Sequence, residues 1–86
     1  MKPVLMFIMA SCPHCRRALS LMEELKQENP EYGRVEINII DENVHPELAG
    51  KYDYYYVPTF FVDNCKLHEG VPSKDAIRNV FSKACE

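Results

Sequence analysis

The sequence predicts an α/β protein of order β-α-β-α-β-β-α, with a mixed four-stranded sheet flanked by three helices. Three observations carry this prediction. A short apolar run, Val4-Leu5-Met6-Phe7-Ile8-Met9-Ala10, leads directly into a helical pattern, and an alternating segment from Val35 to Ile40 follows that helix. Two strands joined by a crossover helix run parallel, and the connection is right-handed. Farther on, the β-branched and aromatic residues Thr59-Phe60-Phe61-Val62 pass through Asp63-Asn64 into a second short strand, the pattern of a hairpin, with an amphipathic helix behind it.

Each element has its own warrant. Residues 3–9 read as a buried strand closed by Ala10-Ser11. Residues 13–28 read as a helix: Pro13 suits the first helical position, where its missing N–H has no partner to lose, and Ala18, Leu21, Met22 and Leu25 share one face. Asn29-Pro30 ends it, and Tyr32-Gly33-Arg34 is expected to turn the chain into a strand over residues 35–40. A second helix is expected over residues 46–52, opened by Pro46 and interrupted near Gly50. Val57 and residues 59–62 form the third strand, with Pro58 at its start, where a strand tolerates proline. Residues 66–69 form an edge strand. Ser73 is the expected N-cap of the last helix, whose core face is Ala76, Ile77, Val80, Phe81 and Ala84.

Composition narrows the function classes. The chain has 86 residues, enough for one domain spanning 1–86, and 47% of them are hydrophobic. Its net charge of -3 offers no basic excess for nucleic acid. The longest apolar stretch falls far short of the roughly 20 residues that span a bilayer, so no membrane partner is expected. Lys2 and the run after it lead into a cysteine pair where a signal peptide needs a small-residue cleavage site. A reducing, cytoplasmic location is the expectation, and there a C-x-x-C pair is catalytic or metal-binding rather than a structural staple.

That pair is Cys12-Pro13-His14-Cys15, at the junction of the first strand and first helix. The positive end of the helix favours Cys12 as a thiolate, which is the attacking species in disulfide exchange. Cys15 lies three residues on, one helical turn away, and is expected to be the less exposed of the two. The alternative is half of a zinc site. Zinc needs four ligands, and Cys65 and Cys85 are not spaced as a second pair. His14 can stabilise the Cys12 thiolate by charge or hydrogen bond and so make the couple more oxidising; otherwise it is an exposed spacer.

With C-P-H-C at the first strand–helix junction and Val57-Pro58-Thr59 opening the third strand, the chain resembles the thioredoxin/glutaredoxin superfamily over essentially its whole length. The resemblance implies the thioredoxin fold and a thiol–disulfide oxidoreductase. Cys12 is then the nucleophile that forms a mixed disulfide, and Cys15 the residue that resolves it. It also implies a cis Val57–Pro58 bond facing the dithiol, with Pro58 barring a metal ion from the pair. The Val57 N–H and C=O would be turned outward to pair with an extended substrate. Substrate contacts are expected from Val57, Pro58, Tyr56 and Ser11, and no bound cofactor beyond the redox-active disulfide. The partners are protein or small disulfides and a reductase or glutathione that recharges the dithiol. A monomer is expected. Read without the upstream motif, Val57-Pro58-Thr59 is an ordinary proline at the start of a strand.

Two departures bear on subclass. Ser11 stands where thioredoxins carry Trp, and Met6 where they carry a buried Asp, which moves the reading toward glutaredoxin. Met9 stands where glutaredoxins carry Lys, and in place of their Gly-Gly and acidic pair the chain reads His68-Glu69-Gly70-Val71-Pro72-Ser73-Lys74-Asp75, where Ser73 and Asp75 can still offer contacts at the helix N-terminus. A glutathione-dependent glutaredoxin therefore stays an alternative, as does an iron–sulfur or metal-binding module. Tyr54 is expected to pack, whereas Tyr56 either packs or rims a substrate groove. Cys65 and Cys85 either pair, given Cα atoms within about 7 Å, or remain free thiols. His45 and His68 read as surface residues, and Glu23, Glu24, Lys26 and Glu28 as a solvated helix face.

Overall fold

The computed structural model describes residues 1–86. Its strands are β1 (Val4–Ile8), β2 (Ile37–Asp41), β3 (Thr59–Val62) and β4 (Cys65–Glu69), and its helices α1 (Pro13–Glu28), α2 (Pro46–Ala49) and α3 (Lys74–Ala84). They form one four-stranded sheet of order β2-β1-β3-β4. β1 runs parallel to β2 and antiparallel to β3, and β3 runs antiparallel to β4. This is the expected thioredoxin fold.

Alternation along β1 divides the interior between the two faces of the sheet. Val4 and Met6, with Phe60 and Val62 beside them, face α1 and α3, whose Ala18, Leu25, Ile77 and Phe81 complete the main core. Phe7 and Phe61 face the other way and build an aromatic layer with Tyr52 and Tyr54. Met6 is fully buried, so the position where thioredoxins carry an acid is here part of the apolar core.

The ends of the elements differ from expectation where side chains or backbone bonds claim residues for turns. Pro30–Arg34 is a 3-10 helix rather than a simple turn. Asn29 Oδ1 accepts from the Glu31 N–H at 3.2 Å, and the Tyr32 ring stacks on Phe81 at 4.9 Å. Val35 closes that helix through its N–H to the Tyr32 carbonyl, so the β2 ladder starts at Ile37. α2 stops at Ala49, and residues 50–52 continue as loose turns. The Val57–Pro58 peptide is cis and precedes the ladder of β3, which starts at Thr59. Cys65 is the first residue of β4 rather than part of the turn, because Asp63 and Asn64 alone take the positive φ values of a tight hairpin, 50° and 67°.

Helix ends follow their sequence signals. Ser73 Oγ accepts from the Ala76 N–H at 3.1 Å, as an N-cap should. The acidic residues of α1 are more than a solvated face: Glu24 and Glu28 both pair with Lys74 of α3. No helix is long and apolar enough to cross a membrane.

Candidate active site

β1 ends at Ile8, and Met9, Ala10 and Ser11 carry the chain to Cys12 at the N-cap of α1. The connection is held at both ends: Ala10 donates its N–H to Asp41 Oδ2 at 3.2 Å, and Cys12 donates its N–H to the Met9 carbonyl at 3.1 Å. The Cys12 carbonyl then accepts from Cys15 and Arg16, at 3.1 and 3.3 Å, to start the helix. The Cys12 side chain makes no capping bond, so its sulfur stays uncapped at the positive N-terminal end of α1.

The two thiols are in opposite environments. Burial works against the Cys12 thiolate, but the backbone N–H groups of Cys15 and His14, the Cys15 thiol and the Arg16 guanidinium outweigh it and lower the pKa. For Cys15, which is only 2% exposed, burial dominates and pushes the thiol up to about 11. The Met9 N–H opposes that shift, and the charges of Cys12 and Glu42 reinforce it. Cys12 is half-buried and therefore the more accessible sulfur.

Opposite the dithiol stands the loop that ends at Pro58. The Cys12 sulfur lies 4.0 Å from the Val57 carbonyl oxygen. Pro58 is buried and Val57 half-buried, whereas Tyr56 is 70% exposed. Ser11, Pro13 and His14 are exposed at the same junction. Among the groups that lower the Cys12 pKa, His14 contributes its backbone N–H and Arg16 its charge. Tyr54 does pack: its ring stacks on Phe7 at 4.9 Å, and its hydroxyl donates to Glu42 Oε1 at 2.8 Å. Burial, followed by the Glu42 hydrogen bond, pushes the Tyr54 phenol well above its ordinary range.

Cys65 and Cys85 are both unbonded, the first exposed and the second half-buried. The end of α3 approaches the hairpin, since Lys83 and Glu86 line one cleft with Asp63 and Cys65. His45 is exposed and sits beside Glu47 at 3.6 Å. His68 is half-buried, with its Nε2 3.0 Å from the Val71 carbonyl, so it belongs to the local turn rather than to open surface.

Three contributors escaped the sequence reading. Arg16 carried a usable signal, since it lies four residues after Cys12 at the start of a helix. Glu42 and Glu69 carried none, because each reaches the site through contacts distant in sequence.

Fold and family together define a thiol–disulfide oxidoreductase of the thioredoxin fold. The chain belongs to the thioredoxin domain family, which matches residues 4–82. It is 31% identical over 78 residues to a thioredoxin of Methanocaldococcus jannaschii, covering 91% of this chain and 89% of the relative. Among solved structures, the oxidised thioredoxin of Plasmodium falciparum matches with a TM-score of 0.71 at 20% identity, over 99% of this chain and 82% of that one. A protein disulfide oxidoreductase of Aeropyrum pernix matches with a TM-score of 0.65 at 28% identity, over 96% of this chain but 37% of that one.

Proposed function

We propose that Cys12 and Cys15 are the redox pair of this oxidoreductase and that the chain reduces disulfides in proteins and small molecules. The observation that carries this reading is the asymmetry of the pair: an accessible Cys12 whose thiolate is favoured, beside a buried Cys15 held protonated. Cys12 attacks one sulfur of the substrate disulfide, a mixed disulfide forms, and the other substrate sulfur leaves as a thiolate and takes up a proton. Cys15 then gives up its proton and attacks the Cys12 sulfur. The Cys12–Cys15 bond forms, the second substrate thiolate leaves, and the dithiol has passed two electrons to the substrate.

Val57 aligns the substrate. Its carbonyl lies 4.0 Å from the Cys12 sulfur, so an extended segment pairing with the Val57 backbone brings its own sulfur to Cys12. Ser11, Pro13 and Tyr56 border that approach. A thiol reductant, either a reductase or glutathione, returns the pair to the dithiol, and a cytoplasmic monomer suits that cycle.

Two variants test the roles. Cys12→Ser is expected to abolish disulfide reduction, and Cys15→Ser to accumulate mixed disulfides visible by whole-protein mass. Equal activity of both variants would remove the assignment.

A further inference from the structure

The segment from Asp53 to Val57 forms neither helix nor strand, yet it presents the carbonyl that faces Cys12. What holds it is the edge strand β4, through a side-chain pair whose placement depends on a register shift. Lys66 and Glu69 are three residues apart, and in a regular strand such residues face opposite sides of the sheet. Here the β3–β4 pairing shifts: Phe61 faces Lys66, Phe60 faces His68 and Thr59 faces Glu69. Leu67 is the extra residue of a β-bulge, and its side chain packs toward the main core. Since Thr59 and Phe61 share a face, Lys66 and Glu69 share it too. It is the face on which Tyr54 lies against Phe7 and Phe61.

The pair is closed, with Lys66 Nζ 2.8 Å from Glu69 Oε1, and it reaches across to the loop. Lys66 Nζ also donates to the Asp53 carbonyl at 3.1 Å. The second oxygen of Glu69 accepts the N–H of Tyr55 and that of Tyr56, the latter at 2.9 Å. The next residue adds a backbone tie, with the Gly70 N–H donating to the Pro58 carbonyl at 2.9 Å. Gly70 has a φ of 93°, which favours glycine there. The hydrogen bond from Lys66 and the two backbone N–H groups hold the Glu69 carboxyl down at about 2. An exposed ion pair alone contributes little. A carboxylate that takes two consecutive backbone N–H groups of an otherwise irregular loop fixes the course of that loop.

We propose that Glu69, braced by Lys66, is the positioning residue of the Asp53–Val57 segment and sets how well the site takes an extended protein disulfide. A small disulfide needs only the Cys12 sulfur and is indifferent to the brace. This inference rests on the dithiol reading above.

The test compares the full-length chain with Glu69→Gln, Glu69→Ala and Lys66→Met, using insulin as the extended disulfide and cystamine as the small one. The Cys12–Cys15 potential is measured for each. The expected result is a KM for insulin raised about fivefold or more in Glu69→Ala with kcat little changed, as lost uniform binding requires. Glu69→Gln and Lys66→Met fall between it and the parent, while cystamine reduction and the potential stay as in the parent. An unchanged insulin KM in all three variants overturns the proposal. So does a parallel loss on insulin and cystamine, which marks a general structural role. If the parent chain reduces neither disulfide, the dithiol reading itself fails and takes this one with it.

Discussion

The Tyr54 hydroxyl donates to Glu42 Oε1 at 2.8 Å and so ties the loop before Pro58 to the end of β2. Glu42 is itself placed by its N–H, which donates to the Ile8 carbonyl at 2.9 Å, at the end of the strand that delivers Cys12. The negative charge therefore sits within reach of the buried Cys15. These two hydrogen bonds, both made by Glu42, link the three segments that enclose the dithiol.

Glu42→Gln removes that charge. The Cys15 ionisation is then expected to move down, because Glu42 is one of the groups that raise it. The check is the pH dependence of thiolate absorbance in a Cys12→Ser background, with and without Glu42→Gln. Superimposable titrations would separate Glu42 from Cys15.

The shift of Cys15 also makes stability depend on pH. Its folded pKa of about 11 lies above the ordinary thiol value of 9.0, so the folded state keeps a proton that the unfolded state has lost. Its contribution is fully present below the unfolded value and disappears as pH rises through the folded one. Between about 9 and about 11 the reduced protein should therefore lose stability more steeply than Cys15→Ser. Urea melts of the two proteins across that window measure the difference.

Arg16 and His14 act on Cys12 from different atoms. Arg16→Gln removes a charge that lowers the Cys12 pKa, so Cys12 alkylation at neutral pH should slow and the couple should become more reducing. His14→Tyr keeps the backbone N–H that faces Cys12 and removes only the ring. If the imidazole also tunes the pair, this variant too becomes more reducing, whereas an unchanged potential returns the ring to a spacer.

Phe7 is fully buried and touches Tyr52, Tyr54 and Phe61, so it anchors the aromatic layer on the α2 side of the sheet. Phe7→Ala should cost about 3–5 kcal/mol in urea unfolding, the range for truncating a buried aromatic. A cost below about 1 kcal/mol would be that of a surface substitution and would contradict this packing.

The sequence made most of the fold legible because its signals were local. Pro13, Ser73 and the apolar spacing of residues 18–25 each mark an element without reference to the rest of the chain, and α1 runs over the expected residues 13–28. The Cys12–Cys15 spacing at a strand–helix junction was legible for the same reason. What the sequence did not reveal depends on register. Lys66 and Glu69 share a face only because Leu67 is an extra residue, and Glu42 meets Tyr54 only because β2 pairs in parallel with β1. The start of β2 and the shortness of α2 were likewise set by turns whose hydrogen bonds have no sequence marker.

The central claim is that Cys12 and Cys15 form one reversible dithiol–disulfide couple. Its direct test is the equilibrium potential of the pair, titrated in glutathione buffers, quenched by alkylation and read by whole-protein mass. The account predicts two alkylation sites lost together, with a potential in the roughly -200 to -270 mV range of glutaredoxins and thioredoxins. The same spectra reveal any glutathione adduct on Cys12. All four cysteines staying alkylatable across the whole titration, with no reversible couple, would contradict it.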